Sequence, residues 1–246
     1  MINKIVDLGI SKLEAEELLK VSTNIEEDYK KLLNKYPIQY LIGYVNFYGY
    51  KINVNEDVLI PRYETELLVE KTIKYYKEYF NKKVNILDIG TGSGAISIAL
   101  KKEIDCNVTA CEISKKALEI AALNTKENNV DINFIESDIF SNINDKYDII
   151  ISNPPYISRD EIIMDSVDKY EPHIALYAEE DGLFFYKEII KDSLKYLNNK
   201  YIIAFEIGCW QADKIIEMAN EYLKDSEVIL EKDLYGKDRY IFIIKK

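Results

Sequence analysis

The chain has 246 residues, 48% of them hydrophobic and 30% charged, which is enough apolar material for one large domain or a large one with a small appendage. A formal net charge of −11 argues against broad electrostatic binding to nucleic acid, where affinity comes largely from Lys and Arg on phosphates. No apolar run approaches the ~20 residues needed to span a bilayer, and His173 is the only histidine, which excludes His-rich zinc sites and most His-dependent triads. Cys106, Cys111 and Cys209 have neither a CxxC nor a metal spacing, so the expectation is buried structural thiols, no metal, no membrane contact and a reduced, cytoplasmic setting without a signal peptide.

In chain order, Ser11-Lys12-Leu13-Glu14 is a capping box ahead of apolar Leu13, Leu18 and Leu19 at helical spacing. Thr23-Asn24-Ile25-Glu26 starts a second short helix that ends before Pro37. Residues 47–61 alternate and contain Gly49, which reads as a hairpin or two short strands. Residues 64–80 read as a helix with acids at its N-terminal end, where the helix dipole favours them. Strands then fall at 84–89, 107–112, 132–136, 147–152, 201–207, 227–231 and 239–244, and helices at 95–102, 114–128, 182–197 and 211–223. This alternation implies right-handed crossovers and a mainly parallel sheet with helices on both faces, an α/β fold. The expected organisation is a short N-terminal helical docking segment (1–36), a linker with a β-hairpin (37–63) and the main domain (64–246). Residues 157–181 are polar, acid-rich and aperiodic, and read as a long binding loop or lid.

Asp88-Ile89-Gly90-Thr91-Gly92-Ser93-Gly94 lies between the first sheet strand and its helix, the place where open α/β sheets bind nucleotides. Glycines there permit positive φ and close approach of the backbone to a ligand. Gly90-x-Gly92-x-x-Ala95 also fits a dinucleotide pattern, and on either reading Glu112, at the end of the second strand, accepts two ribose hydroxyls. The Asp-x-Gly-x-Gly-x-Gly spacing leans toward S-adenosylmethionine, whose zwitterionic end wants backbone donors and a nearby carboxylate, here Asp88. Ser137-Asp138-Ile139, after the third strand, falls beside the adenine, with Asp138 accepting from the exocyclic amine and Ile139 packing on the ring.

Asn153-Pro154-Pro155-Tyr156 follows a buried isoleucine strand and is rigid at once, since proline ends the ladder and restrains the residue before it. Asn153 Oδ1 and the Pro154 carbonyl are two fixed acceptors, each able to take one N–H of an amide or aromatic amine. That orients a delocalised nitrogen toward a methyl held at the neighbouring loop, while Tyr156 stacks on the flat group. Asn153 to Tyr156 are therefore the catalytic candidates, with Asn153 also bordering the cofactor. Arg62, Glu64 and Thr65 either border the acceptor pocket or cap the helix near 64. Tyr170 to His173 either close over a bound peptide or form plain surface.

These residues resemble the protein-(glutamine-N5) methyltransferases that modify peptide-chain release factors. The likeness runs from about residue 37 to the C-terminus and includes PIQYLIG, IPRYETELLVE, LDIGTGSGAISIAL, SNPPYIS, YEPHIAL and EDGLFFYKEI. Asn-Pro-Pro-Tyr alone also occurs in base-modifying methyltransferases; the IPRxETE segment and the one containing EDGL make the resemblance specific. It implies a seven-stranded Rossmann-like methyltransferase sheet, S-adenosylmethionine as donor, and the glutamine of a release factor's Gly-Gly-Gln loop as acceptor. It places Gly90 to Gly94, Glu112 and Ser137 to Ile139 at the cofactor, and Asn153 to Tyr156 at the glutamine. The chain departs from the family at Tyr63, where proline is usual, at Ile139, where an aromatic often sits, and in a helical N-terminal segment about half the usual length. Methylation of adenine N6 or guanine N2 in nucleic acid is the alternative enzyme reading; a non-catalytic cofactor-binding partner and a NAD-dependent oxidoreductase are weaker ones.

Overall fold

The structure, a computed structural model, describes residues 1–246. Four short helices open the chain: α1 (Ile2–Val6), α2 (Lys12–Val21), α3 (Ile25–Leu33) and α4 (Ile38–Ile42). The Ser11 capping box is formed, with the Glu14 N–H donating to Ser11 Oγ at 3.2 Å and the Ser11 N–H to Glu14 Oε2 at 3.3 Å. Asn24, one residue past Thr23, caps α3 by accepting from the Glu27 N–H. Helices this short are marginal alone, and these bury a small core of their own made by Ile5, Ala15, Leu18, Leu32, Ile38 and Ile42. The helix α4, unforeseen in the sequence, supplies two of those six residues, so packing carries the helical segment past residue 36.

β1 (Tyr44–Phe47) and β2 (Tyr50–Asn53) form an antiparallel hairpin. Its two turn residues, Tyr48 (φ 51) and Gly49 (φ 84), both have positive φ, as the twist of a two-residue hairpin favours. The expected strands over 47–61 therefore begin earlier and end sooner. The alternation beyond them comes from Val54, Val58 and Ile60, which are buried singly against the main core along a segment that is not a strand.

The rest alternates as α5 (Tyr63–Tyr79), β3 (Val84–Ile89), α6 (Ala95–Glu103), β4 (Cys106–Glu112), α7 (Lys115–Glu127), β5 (Asn133–Glu136), β6 (Tyr147–Ser152), α8 (Asp165–Tyr170), α9 (Phe184–Asp192), β7 (Leu197–Glu206), α10 (Ala212–Tyr222), β8 (Glu227–Lys232) and β9 (Asp238–Lys245). The seven strands from β3 onward make one sheet in the order β5-β4-β3-β6-β7-β9-β8, parallel except for β9. This is the Rossmann-like methyltransferase fold. Successive residues face opposite sides: Ile86, Ile149 and Ile202 pack with Leu68 of α5 and Ile98 of α6. Leu87, Ile150 and Ile203 pack with Tyr186 of α9 and Ile215 of α10 on the other face. With both faces covered, the strands read as continuous apolar runs. The chain steps outward from β3 to β5 and then returns to β6 on β3's other side, so the order reverses between β3 and β6, where such sheets bind ligands.

The 157–181 connection, expected as a long binding loop or lid, is locally structured. It contains α8, a 3₁₀ turn at His173–Ala175 and a bridge between Ile157 and Tyr177. The buried Glu171 pairs with Arg62 and accepts from the Ile60 N–H at 3.2 Å, while the Tyr170 hydroxyl donates to the Asn34 carbonyl at 3.0 Å. Of the three cysteines, Cys106 and Cys111 are buried, and burial pushes their thiols up to about 11 and about 12. Cys209 is only half-buried, contrary to expectation, because it sits in the turn that leaves β7. No helix is long and apolar enough to cross a membrane.

Candidate active site

A cavity of about 280 Å³ opens at the carboxyl ends of β3, β4 and β6. The loop after β3 uses three positive-φ glycines: Gly90 (φ 72), Gly92 (φ 54) and Gly94 (φ 82). Open space lies on the Cβ side of Gly90 and Gly92, and both line the cavity. Gly94 serves packing instead: a Cβ there would sit 3.2 Å from Ala121 Cβ of α7. Asp88, expected to contact the ligand, is fully buried behind the loop and does not line the cavity. Its Oδ2 accepts from the Thr91 and Ser97 hydroxyls, each at 2.7 Å, while its Oδ1 has no partner in the chain. Burial pushes this carboxyl up to about 6. Thr91 and Ser93 are likewise loop builders: the Thr91 N–H donates to the Cys111 carbonyl at 3.1 Å, and the Ser93 carbonyl accepts from Asn124 Nδ2 at 2.8 Å. Neither lines the cavity. The glycine spacing thus marks a loop on the cavity wall, but only Gly90 and Gly92 of its residues line the cavity, with Ile89 at the strand end.

Glu112 lines the cavity from the tip of β4. Three backbone N–H groups hold its carboxylate: Gly92 on Oε2 at 3.1 Å, and Ile113 and Ser114 on Oε1 at 2.9 and 3.0 Å. Ser137, Asp138 and Ile139 also line it. Ile139 is left-handed (φ 47), which for a β-branched residue costs on the order of 1–3 kcal/mol. Its carbonyl is held by the Ser137 hydroxyl at 3.0 Å and the Cys111 thiol at 3.5 Å, so the strained turn is fixed from two sides.

Asn153, Pro154 and Pro155 form the wall beyond β6. Asn153 Nδ2 donates to Thr65 Oγ1 at 3.1 Å, and the Thr65 hydroxyl donates to Glu206 Oε2 at 2.8 Å. Glu206 is 2% exposed, and burial pushes its carboxyl up to about 7. Asn153 Oδ1 has no hydrogen bond within the chain. The Ser152 hydroxyl donates to the Ile89 carbonyl at 2.7 Å, tying the two strands where the sheet order reverses.

Tyr156, expected to stack on the acceptor, does not line the cavity. Its ring packs on the core cluster beneath, and burial raises its phenol pKa far above the ordinary value. Its carbonyl accepts from Gln211 Nε2 at 3.0 Å. The same Nε2 donates to the Asp181 carbonyl at 3.2 Å, while Gln211 Oε1 accepts from the Gly208 N–H at 2.9 Å. Gln211 thus clamps three loops from a buried position. One of them is a left-handed turn made by Glu180 (φ 53), Asp181 (φ 56) and Gly182 (φ 80). The sequence reading missed Gln211; its one signal was a polar residue opening an otherwise apolar-faced helix.

Of the three residues offered as pocket border or helix cap, none caps α5 with its side chain. Thr65 reaches Asn153, Arg62 turns to Glu171, and the Glu64 carbonyl accepts from the Tyr240 hydroxyl at 2.8 Å. Tyr170 packs edge-on against Tyr36, and the exposed His173 bonds to the Asp168 carbonyl, so neither closes over the cavity. Pro172, within that same stretch, does line it, as do Ile174 beyond it and Phe184 and Phe185, whose sequence context reads as ordinary helix core.

Residues 64–170 match the family model of the methyltransferase small domain. The release factor glutamine methyltransferase of Streptococcus pneumoniae is 43% identical over 222 residues, covering 89% of this chain and 78% of the relative. That of Lactococcus lactis subsp. lactis is 41% identical over 246 residues, covering 98% and 89%. The crystal structure of a methyltransferase from Pyrococcus furiosus is 19% identical, with a TM-score of 0.59 over 88% of this chain and 94% of its own, a likeness of fold. With such identity over most of both chains, this protein belongs to the release factor glutamine methyltransferase family.

Proposed function

We propose that the protein, acting in the cytoplasm, transfers a methyl group from S-adenosylmethionine to the side-chain amide nitrogen (N5) of the glutamine in the Gly-Gly-Gln loop of peptide-chain release factors, in support of translation termination. The observation that carries this is the polarity of the Asn153 amide. Its N–H₂ end is bound inward to Thr65, and its oxygen is left free on a cavity that also holds a glycine loop and a ribose-type carboxylate.

The residues present fit the donor. Glu112 keeps lone pairs for two ribose hydroxyls, Asp138 and Ile139 suit a purine edge and face, and the unpartnered buried Asp88 Oδ1 suits an ammonium reached through the loop. The bound donor supplies an electrophilic methyl on a sulfonium. Asn153 Oδ1 and the Pro154 carbonyl each take one N–H of the acceptor amide, which fixes its plane and presents the nitrogen lone pair. The prolines hold both acceptors in place, so orientation is set before the reaction. With the donor bound, the methyl would pass to the oriented nitrogen, the neutral thioether would be the leaving product, and the nitrogen, made acidic by methylation, would release one proton to water without a strong base. Neutral dipoles suit a step in which the donor's positive charge is lost.

Incubating the protein with radiolabelled S-adenosylmethionine and purified release factors, with Gln→Ala factors and duplex DNA as controls, tests this reading. Label is expected on the unaltered factors alone. Label on DNA, or on the Gln→Ala factor, would refute it.

A further inference from the structure

We infer that Thr65 and Glu206 are positioning residues whose hydrogen-bond relay dictates which end of the Asn153 amide faces the acceptor. The inference rests on the role just proposed for Asn153 and adds what enforces it. An Asn amide is nearly symmetric in shape, so shape alone does not choose between its oxygen and its nitrogen. The choice matters here, because an acceptor N–H₂ meets a hydrogen-bond acceptor in one orientation and a second N–H₂ in the other.

The structure makes the choice through direction. Glu206 stands at the end of β7, Thr65 in the first turn of α5 and Asn153 just beyond β6. The sequence separations are 141 and 88 residues, so only the fold unites them. Thr65 has a single hydroxyl hydrogen, and it is committed to the Glu206 carboxylate at 2.8 Å. What remains toward Asn153 is oxygen lone pairs, which accept from Nδ2 at 3.1 Å and would repel Oδ1. Both Thr65 and Glu206 are buried, at 6% and 2% exposure, so water does not replace either link.

Glu206 is otherwise hard to account for. A buried carboxylate is costly unless well paired, yet Thr65 is the only hydrogen-bond partner of this one. Arg239, the nearby cation on β9, is turned to Asp233 at 3.5 Å and to the Ile207 carbonyl at 3.0 Å. The other charged or titratable neighbours are Arg62 and Glu64 at the start of α5, Tyr240 on β9, Tyr156 beyond β6 and Tyr186 on α9. None supplies a second bond to the carboxylate. With its carboxyl pushed up to about 7 by burial, Glu206 gains a proton on the acid side of neutrality. A protonated Glu206 donates to Thr65, freeing the Thr65 hydrogen to point at Asn153 and reversing the relay.

The test is steady-state methylation of a purified release factor by wild type, T65V, T65S and E206Q across pH, with cofactor dissociation constants from titration. T65V keeps the side-chain shape and is expected to lower kcat about thirty-fold or more, with cofactor affinity within about threefold of wild type. T65S, which restores the hydroxyl, is expected to recover kcat about tenfold over T65V. Wild-type kcat should fall as pH drops through about 7, and E206Q, which keeps an acceptor but cannot titrate, should lose that acid limb. A T65V kcat within about threefold of wild type overturns the relay, as does T65S behaving like T65V or an acid limb that stays at about 7 in E206Q rather than moving down toward the Asp88 carboxyl at about 6. An inactive wild type would instead refute the proposed function, so the two failures are distinguishable.

Discussion

Replacing Gly182 with alanine tests how tightly the Asn-Pro-Pro-Tyr loop is held from behind. A Cβ at this position would lie 2.0 Å from the Tyr156 carbonyl oxygen, 2.8 Å from its carbonyl carbon and 2.5 Å from Gln211 Nε2. Two of these atoms are backbone, and the third is the end of the side chain that joins the three loops, so relief by moving it breaks the clamp. To reach 3.0 Å, the Tyr156 carbonyl must retreat by about 1 Å. Turning Gly182 itself is no remedy: its φ of 80 continues the left-handed turn of Glu180 and Asp181, and alanine there adds about 1–2 kcal/mol. Losing the Gln211 bond leaves a buried carbonyl unsatisfied, for about 1–3 kcal/mol more. Together these predict a loss of about 2–5 kcal/mol, or roughly 4–20 °C in Tm for a chain of this size. A displacement of about 1 Å three residues from Asn153 should also lower kcat on the order of 100-fold. Thermal denaturation, together with turnover on a release factor at a temperature where the variant is folded, reads both quantities. Full turnover alongside an unchanged Tm would show that the Gln211 clamp does not position the loop.

Asn153→Ala should leave cofactor titration largely unchanged while removing ~3 kcal/mol or more of transition-state stabilisation, a loss of over 100-fold in kcat; undiminished turnover would remove Asn153 from the reaction. Glu112→Ala should weaken cofactor binding about tenfold or more, since a carboxylate accepting two hydroxyls is lost; an unaltered dissociation constant would make Glu112 only a brace for Gly92. Glu206→Gln should raise stability at pH 8. The Glu206 carboxyl sits at about 7 in the folded chain against an ordinary 4.5, so ionisation disfavours the fold by up to about 3 kcal/mol above pH 7. The advantage should shrink as pH falls from about 7 toward 4.5, because wild type then folds with the proton bound; equal melting differences at pH 8 and pH 4.5 would show that the carboxyl is not shifted.

The sheet was legible because both faces are covered: runs such as Ile149-Ile150-Ile151, short, β-branched and followed by Pro154, read as buried strands, and the glycines after Ile89 mark where the chain must turn sharply. The hairpin was displaced because Val54, Val58 and Ile60 alternate like a strand while being buried without a partner strand. Motifs located the site but did not sort its members. Thr91, Ser93, Gly94 and Tyr156 lie in the motif segments but off the cavity wall, and Asp88 lies behind the loop with one oxygen unpartnered, because which residues of a tight turn face inward is set by its fold and not by spacing alone. Thr65, Glu206 and Gln211 carried no local signal for a further reason: each acts on a loop distant in sequence, and topology alone makes them neighbours.

Local rules are broken in this protein where those distant contacts converge. Six non-glycine residues have positive φ: Lys35, Tyr48, Asn129, Ile139, Glu180 and Asp181. Lys35 and Asn129 follow helix ends and Tyr48 is in the hairpin, where a left-handed residue is the ordinary way to turn. The other three border the cavity or the clamp behind it, alongside the half-paired Asp88 and the singly bonded Glu206. Such costs persist only when the surroundings over-determine them, and here the surroundings are identifiable: Ser137 and Cys111 on the Ile139 carbonyl, Gln211 on the turn, Thr65 on the carboxylate. The doubly covered sheet supplies the stability that these positions give up. The cavity lies where β3, β4 and β6 end, so backbone there can be held in a costly shape by the sheet behind it and still be reached by a ligand.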